Sequence, residues 1–485
     1  MNAILRNFLS LAVGRYVAMA VGALVTFVLA RALGVESYGS FIAVLAASEL
    51  FAAFLDLGLT RILVKEGAAD RERVGAHLFN ILLVKGVLAA LVMVAIHFYA
   101  LREGWLSPLY RLMILLALCK VADNFSLTFD GVFQVFQRME FSAVILVAGR
   151  LGLLAAVLAG WAGEETILYY GWVYFGVSFA TALATVLVTN LRFTRPKRGD
   201  IPLRVTVGRE GLFFALSSLL YMAGTRLDVL ALKEWAAGPA VGIYAAAARV
   251  MLVFQILPMV TQTSVLPELF RLGRHDRAGL RPFYAGYLQR SLILACFPFL
   301  WALFFPGAII GTLFGAAFLD AAPWLRLLAV LVVLRFTVLA AGNVLTALDR
   351  QWERTIWAAC GVGTTATLLV LLVPDQGLRG CVTALLTGEI LSAGLNLAAA
   401  ARLGYRPPAG PLARVLGGGA LAAAVLAGAV RLLPWHLFAG LGGFLLSLLL
   451  TGGVTAAALL LTRAARLGEL AALLPRGGRP DGDSR

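Results

Sequence analysis

Of 485 residues, 61% are hydrophobic and only 14% charged, against roughly 45–50% apolar and about 25% charged in a soluble globular chain. One core cannot hide that much apolar surface, and the charges sit in short clusters between apolar runs of about 20 residues, the helix length that crosses a hydrocarbon layer of roughly 30 Å. This excludes a soluble enzyme and predicts an all-α integral membrane protein of about 14 transmembrane helices. The net charge of +15 invites a nucleic-acid reading, but the 41 Lys and Arg concentrate in alternate loops. That asymmetry is the positive-inside distribution, which argues against nucleic acid and predicts a multi-pass protein of a bacterial inner membrane with both termini cytoplasmic.

In chain order the predicted spans are 8–30, 38–60, 78–100, 109–132, 142–162 and 167–190, which form an N-terminal six-helix lobe, 1–190. The run 8–30 exceeds a signal-peptide core and is taken as a retained span. A basic cytoplasmic linker follows, 191–209, reading LRFTRPKRGDIPLRVTVGR. Spans at 210–232, 242–265, 285–310, 326–348, 355–373 and 381–400 then form a C-terminal lobe, 210–400. Two additional helices, 414–431 and 437–462, lie in 401–462, before a cytoplasmic tail, 463–485, whose composition predicts disorder.

The starts of the two lobes share a pattern. FVLARALGVESYGSFIAVLAASEL and VLALKEWAAGPAVGIYAAAARVML both run from an apolar span through a short Gly-containing turn into a small residue, an aromatic and an Ala-rich span. A duplication predicts two lobes in pseudo-twofold relation around a central cleft, the plan of alternating-access transporters. The predicted outer loops are short, leaving no room for a catalytic domain and arguing against a glycan polymerase.

Each ionisable residue near the middle of a span costs roughly 2.5–3.5 kcal/mol on the insertion scale, so these residues carry the functional information. Asp56, Arg111, Asp130, Arg290, Arg326 and Arg431 lie near predicted span ends, where long side chains snorkel to the interface. Glu49, Lys120, Asp123, Arg150, Arg335 and Glu389 lie deep, and Arg15, Lys85, Arg226, Asp228 and Arg249 at intermediate depth. Lys120 and Asp123, three apart, share a helix face and can pair. Arg226 and Asp228, two apart, cannot, so each is expected to meet another helix. Arg15, Lys85, Arg150, Arg249 and Arg335 then leave a cationic surplus suited to phosphate oxygens. Asp123, Asp228 and Glu389 are candidate ion-coupling carboxylates. Gly14, Ala18 and Gly22 form a small-residue packing face. Four Cys and four His lack ligand spacing, so neither a metal site nor a cofactor is expected.

Several short motifs carry a family resemblance. They are ARALGVESYGSF after the first span, DLGL at Asp56–Leu59, FQRME at Phe136–Glu140, RLDVLAL running on to VGIYAAAARV, VLPELFR at Val265–Arg271, GNVLTALDR at Gly342–Arg350 and VPDQGLRG at Val373–Gly380. In order and spacing, over about four-fifths of the chain, the sequence resembles the polysaccharide and oligosaccharide flippases, a branch of the superfamily that also holds multidrug extruders and the lipid II flippase. The resemblance implies two six-helix lobes plus two helices, and translocation of a polyprenyl-pyrophosphate-linked oligosaccharide for polysaccharide biosynthesis. It implies membrane lipid, a polymerase and other glycan-assembly proteins as partners, and no bond-breaking chemistry. It transfers no site residue. The first-span carboxylate of many drug extruders is absent, since Arg15 is that span's only charge. The alternatives are a multidrug antiporter, whose organic cations would favour a negative cleft, and a membrane-embedded glycan polymerase or prenyl transferase, for which paired acidic metal ligands are missing.

Overall fold

In lipid no water satisfies a free peptide group, so a chain this apolar must keep its backbone hydrogen bonds inside helices. The computed structural model describes residues 3–163, 165–199, 209–236, 238–406 and 409–465, and among these residues it contains helices and turns but no strand. Most of the tail and the second half of the basic linker lie outside the described residues. Twelve of the helices are long and apolar enough to cross a membrane.

Two compact units divide the chain: residues 1–245 with 368–381, and 246–367 with 382–485. The first holds α1 (Ala3–Ala52), α2 (Leu59–Ala69), α3 (Val74–Ala100), α4 (Pro108–Val135), α5 (Met139–Ala162), α6 (Ile167–Arg192) and α7 (Arg209–Trp235). At 1.5 Å per residue, the 50 residues of α1 are too many for one crossing. The helix breaks at Gly34, whose φ of 71° and ψ of 177° suit a residue without Cβ. With α1 counted as two, the twelve make thirteen candidate crossings among the described residues, and α7, at 27 residues, is long enough to be another.

The second predicted span ends early. Helix α1 stops at Ala52 rather than residue 60, because Leu57 and Gly58 take positive φ and start α2 as a separate helix. Within the first unit, α1 packs along α4 and α5, α4 along α6, and α7 against α1. Ideal Cβ positions explain two contacts. One on Gly14 would lie 2.7 Å from the Ala143 Cβ, and one on Gly242 would lie 2.0 Å from the Val35 carbonyl oxygen. The small-residue face of the first span thus packs on α5 at Gly14, while Gly22 meets nothing. Leu59, Leu63, Leu78, Ile81, Phe129 and Val132 form a core among α2, α3 and α4.

Helix α8 (Ala240–Phe254) carries the chain from the first unit to the second. It stops where one longer span was predicted, and α9 (Ile256–His275) begins after a break at Gln255. Next come α10 (Arg277–Phe304), α11 (Pro306–Leu313), α12 (Ala322–Leu328) and α13 (Val330–Ala347). Pro306, which cannot donate a backbone hydrogen bond, opens α11 at its first turn. Helices α14 (Gln351–Gln376), α15 (Leu378–Arg402), α16 (Ala409–Leu432) and α17 (Gly440–Leu461) complete the chain. In the second unit Tyr284, Tyr287 and Leu288 of α10 pack with Ala340 and Val344 of α13. The Trp301 indole donates to Ser447 Oγ at 2.9 Å and fastens α10 to α17.

Beyond the spans, at the end of α9, Arg271 donates to both oxygens of Glu268 at 2.8 and 2.6 Å. Those hydrogen bonds hold the Glu268 carboxyl below its ordinary value.

Candidate functional site

Two ion-pair networks lie deep in the first unit. Asp56 follows α1, and one of its oxygens accepts from the backbone N–H of Thr60 at 3.3 Å, capping α2. The same oxygen receives the Lys85 ammonium of α3 at 2.6 Å. Lys85 also donates to Asn124 Oδ1 of α4 at 2.7 Å and to Thr60 Oγ1 at 3.2 Å. An ammonium has three donors, and these partners satisfy all of them in a pocket where the Lys85 side chain is 1% exposed. The network ties α2, α3 and α4 together and leaves no room for a ligand at Lys85. Asp56, expected to snorkel, is instead the counter-ion of Lys85, itself half-buried with its side chain 25% exposed, because its position before α2 brings it to the ammonium.

The second network is open. Glu49, in the last turn of α1, sends Oε1 to within 3.3 Å of the Lys120 ammonium and Oε2 to within 2.5 Å of Arg226 Nε. Lys120 lies 12 residues into α4, about 18 Å along the helix at 1.5 Å per residue. Its ammonium also stands 3.7 Å from Asp123 Oδ2, one turn on. Lys120 and Glu49 are each 19% exposed, Arg226 25% and Asp123 46%. Charges at that depth face water or a ligand rather than hydrocarbon. Beside them the Cys119 thiol meets Ser178 Oγ at 3.1 Å. Arg150, exposed on α5, lies within electrostatic range of Cys119 and has no ion-pair partner among the described residues.

The remaining predicted residues separate into bonded and unbonded groups. Arg226 and Asp228 do meet different helices. Asp228 accepts the hydroxyl of Tyr244 on α8, while Arg226 meets α1. Arg15 is exposed on α1 and within electrostatic range of Asp130, which also accepts from Ser142 and so is not merely an interfacial group. In the second unit Arg335 Nε donates to Glu389 Oε1 at 2.9 Å, each side chain 22% exposed. Arg335 also lines a small dent with Phe254, Gln255 and Phe336. Arg249 is half-buried and has no ion pair among the described residues. The cationic surplus is therefore smaller than residue counting suggests. Lys85 and Arg335 have carboxylates at ion-pair distance, Arg15 has one only within electrostatic range, and Arg150 and Arg249 have none among the described residues. Depth in the sequence pointed to Glu49 and Arg226, but only the fold brings them onto Lys120.

Among the described residues no group of three His, Cys, Asp or Glu converges as a metal site. The four cysteines are free thiols.

Residues 4–272, more than half of the chain, match the model of a family described as polysaccharide biosynthesis protein. The teichuronic acid biosynthesis protein TuaB of Bacillus subtilis (strain 168) is 28% identical over 150 residues, which spans 30% of this chain and only 30% of that relative. The structure of the lipid II flippase MurJ in its inward closed conformation superposes with a TM-score of 0.75 over 92% of this chain and 97% of that one, at 12% identity. A MOP superfamily transporter from Pyrococcus furiosus gives 0.58 at 16% identity, over 81% and 93%. An inward-facing multidrug MATE transporter of the same superfamily gives 0.59 at 17%, over 80% and 96%. At such identities the structures speak for the fold alone, whereas the sequence match is to one family: this chain belongs to the polysaccharide biosynthesis protein family.

Proposed function

We propose that this protein flips a polyprenyl-pyrophosphate-linked oligosaccharide from the cytoplasmic to the outer leaflet of a bacterial inner membrane, for assembly of a surface polysaccharide. The observation that carries the reading is the family match over residues 4–272. The open network of α1, α4, α5 and α7 supports an anionic head group. Lys120, Arg150 and Arg226 offer three cations, and Glu49 and Asp123 are already engaged. An organic cation would find no uncommitted carboxylate there among the described residues, which disfavours the multidrug antiporter despite the shared fold.

The mechanism in this reading is alternating access without bond cleavage. The sugar head cannot enter hydrocarbon, where each unsatisfied polar group costs several kcal/mol, so it crosses in a hydrated path while the polyprenyl tail stays in lipid. Both termini are cytoplasmic, and 1–190 and 210–400 are the moving lobes. Arg150 and Arg249 are retained as substrate residues. Asp123, Asp228 and Glu389, each already bonded, are weaker ion-coupling candidates than their depth suggested.

Deletion of the gene tests the reading. Completed lipid-linked oligosaccharide should accumulate on the inner leaflet, as measured by extraction with a leaflet assay, and susceptibility to cationic dyes should not change. Dye hypersensitivity without inner-leaflet accumulation would overturn it in favour of the drug antiporter.

A further inference from the structure

Glu49 places one carboxylate oxygen on each of two cations that belong to different helices, Lys120 of α4 and Arg226 of α7. Two oxygens shared between an ammonium and a guanidinium is also how a phosphate would sit between them. We propose that Glu49 is an internal counter-anion, which occupies the Lys120–Arg226 site at rest, yields it to the pyrophosphate of the ligand, and then binds a proton. This rests on the flippase reading and adds the coupling that the reading lacks.

Three observations carry the proposal. First, the carboxylate can leave. Glu49 stands in the last turn of α1, three residues before the helix ends at Ala52, and its side chain is partly exposed, although the oxygen that faces Arg226 is buried. Lys85, by contrast, could not exchange its partner without unpacking three helices. Second, the closest contact from Arg226 is side-on, through Nε. A guanidinium fork binds a phosphate through two parallel hydrogen bonds, so exchange replaces one contact by a stronger pair.

Third, the charges balance only with a proton. At rest Lys120 and Arg226 are matched by Glu49 and Asp123, and the nearby Arg150 leaves the site with one positive charge. A pyrophosphate diester brings two negative charges. One negative charge is left over in a medium where an uncompensated carboxylate is costly. Glu49 has by then lost both cations, and a proton taken from the water phase neutralises it. Among the described residues, the titratable and charged groups at this site are Cys119, Lys120 and Asp123 from α4, Arg150 from α5 and Arg226 from α7, with Asp228 turned away to Tyr244. On the α3 side the Tyr99 ring packs at a tilt against the neighbouring Phe51, centroids 5.8 Å apart. Asp123 keeps its place one turn from Lys120 and is 46% exposed, so the exchange leaves its pairing unchanged.

The test uses the purified full chain in lipid nanodiscs, with two pyrophosphate diesters as probes, P1,P2-dimethyl and P1,P2-digeranyl pyrophosphate, each carrying two fixed negative charges and no group that titrates near neutral pH. Calorimetry in two buffers of different ionisation enthalpy counts protons taken up with the ligand. The wild type should take up close to one proton per ligand. Glu49→Gln should bind about tenfold more tightly, the competitor being gone, and with no proton uptake; Asp123→Asn should keep the uptake. Glu49→Asp preserves the charge and should keep the linkage, which separates exchange from misfolding of the neutral variant. Binding by the wild type without proton uptake, or Glu49→Gln binding no more tightly than the wild type, would overturn the exchange and leave the flippase reading standing. No binding of either probe by the wild type or Glu49→Gln would overturn the exchange and the pyrophosphate reading together.

Discussion

Lys85 and Lys120 are both lysines in the middle of apolar helices of the first unit, and each meets a carboxylate from the end of α1 or the turn that follows it. They are built for opposite purposes. Lys85 has one carboxylate, three neutral oxygen partners and 1% exposure. Lys120 shares one carboxylate with Arg226, stands near a second, and is 19% exposed. A charge whose donors are all met in a dry pocket can only hold helices together. A charge held by competing partners at a wet edge can change partners at small cost. Depth in the membrane therefore marks both residues as unusual, but only satisfaction and exposure tell which one works on a ligand.

The largest effect should come from breaking the enclosed network. Removing one member of a buried ion pair leaves the other uncompensated, at about 3–5 kcal/mol. Lys85→Met and Asp56→Asn should each lower the thermal unfolding midpoint in detergent sharply and reduce the amount of protein in the membrane. The double variant should recover part of the loss. Export should fall only in proportion to the protein lost. A well-folded Lys85→Met that is inactive would move Lys85 out of the structural class and dissolve the contrast.

Replacing Lys120 should do the reverse. Arg226 remains to hold Glu49, and the partly exposed edge lets water cover what is lost. Lys120→Met should therefore cost about 1 kcal/mol or less of stability while abolishing export of the glycan. Arg150→Gln, which breaks no ion pair, should leave unfolding unchanged and also reduce export. Protein level, unfolding midpoint and accumulated lipid-linked sugar, measured on the same cells, separate the two behaviours.

How much of this the sequence could reveal depends on the range of the interaction. Helices were legible because apolar run length is a local property. The motifs behind the family resemblance turn out to be largely turn chemistry. ARALGVESYGSF contains the break at Gly34, DLGL the left-handed Leu57 and Gly58, FQRME the left-handed Gln137, GNVLTALDR the left-handed Asp349, and VPDQGLRG the left-handed Gly377. Such positions are set by neighbours in the chain, so their spacing survives in the sequence. Pairing across helices is not written locally. Lys120 with Asp123 was readable at three residues' separation, but Lys85 with Asp56 and Arg335 with Glu389 needed the fold. Asp56 was misjudged because distance from a span end was the only guide, and the turn that follows α1 brings it to Lys85. The breaks at Ala52 and Gln255 were missed because the apolar run continues past both.

The smallest effect should be found at the far end of the same helices, and it tests whether exposure is the right criterion. Lys233, near the end of α7, is ion-paired to Glu103, which follows α3, and Arg102 reaches Glu234 at 2.6 Å with the Tyr99 hydroxyl donating to the same carboxylate at 3.0 Å. Four charges in two crossed pairs look like a clamp. Yet Arg102 is 60% exposed and Glu234 29%, and Lys233 and Glu103, at 16% and 23%, lie at the same helix ends, where water replaces part of what a broken pair loses. The coupling between Lys233 and Glu103, from a double-mutant cycle of Lys233→Met and Glu103→Gln, should be about 0.2–1 kcal/mol. It should shrink as salt is raised, because the screening length falls from about 10 Å at 0.1 M to about 3 Å at 1 M. Arg102→Ala should move the unfolding midpoint less still. A coupling above about 2 kcal/mol that salt does not weaken would mean that the Lys233 pair is desolvated like Lys85. Exposure would then fail as the divider, and the outer ends of α3 and α7 would be locked rather than free to part.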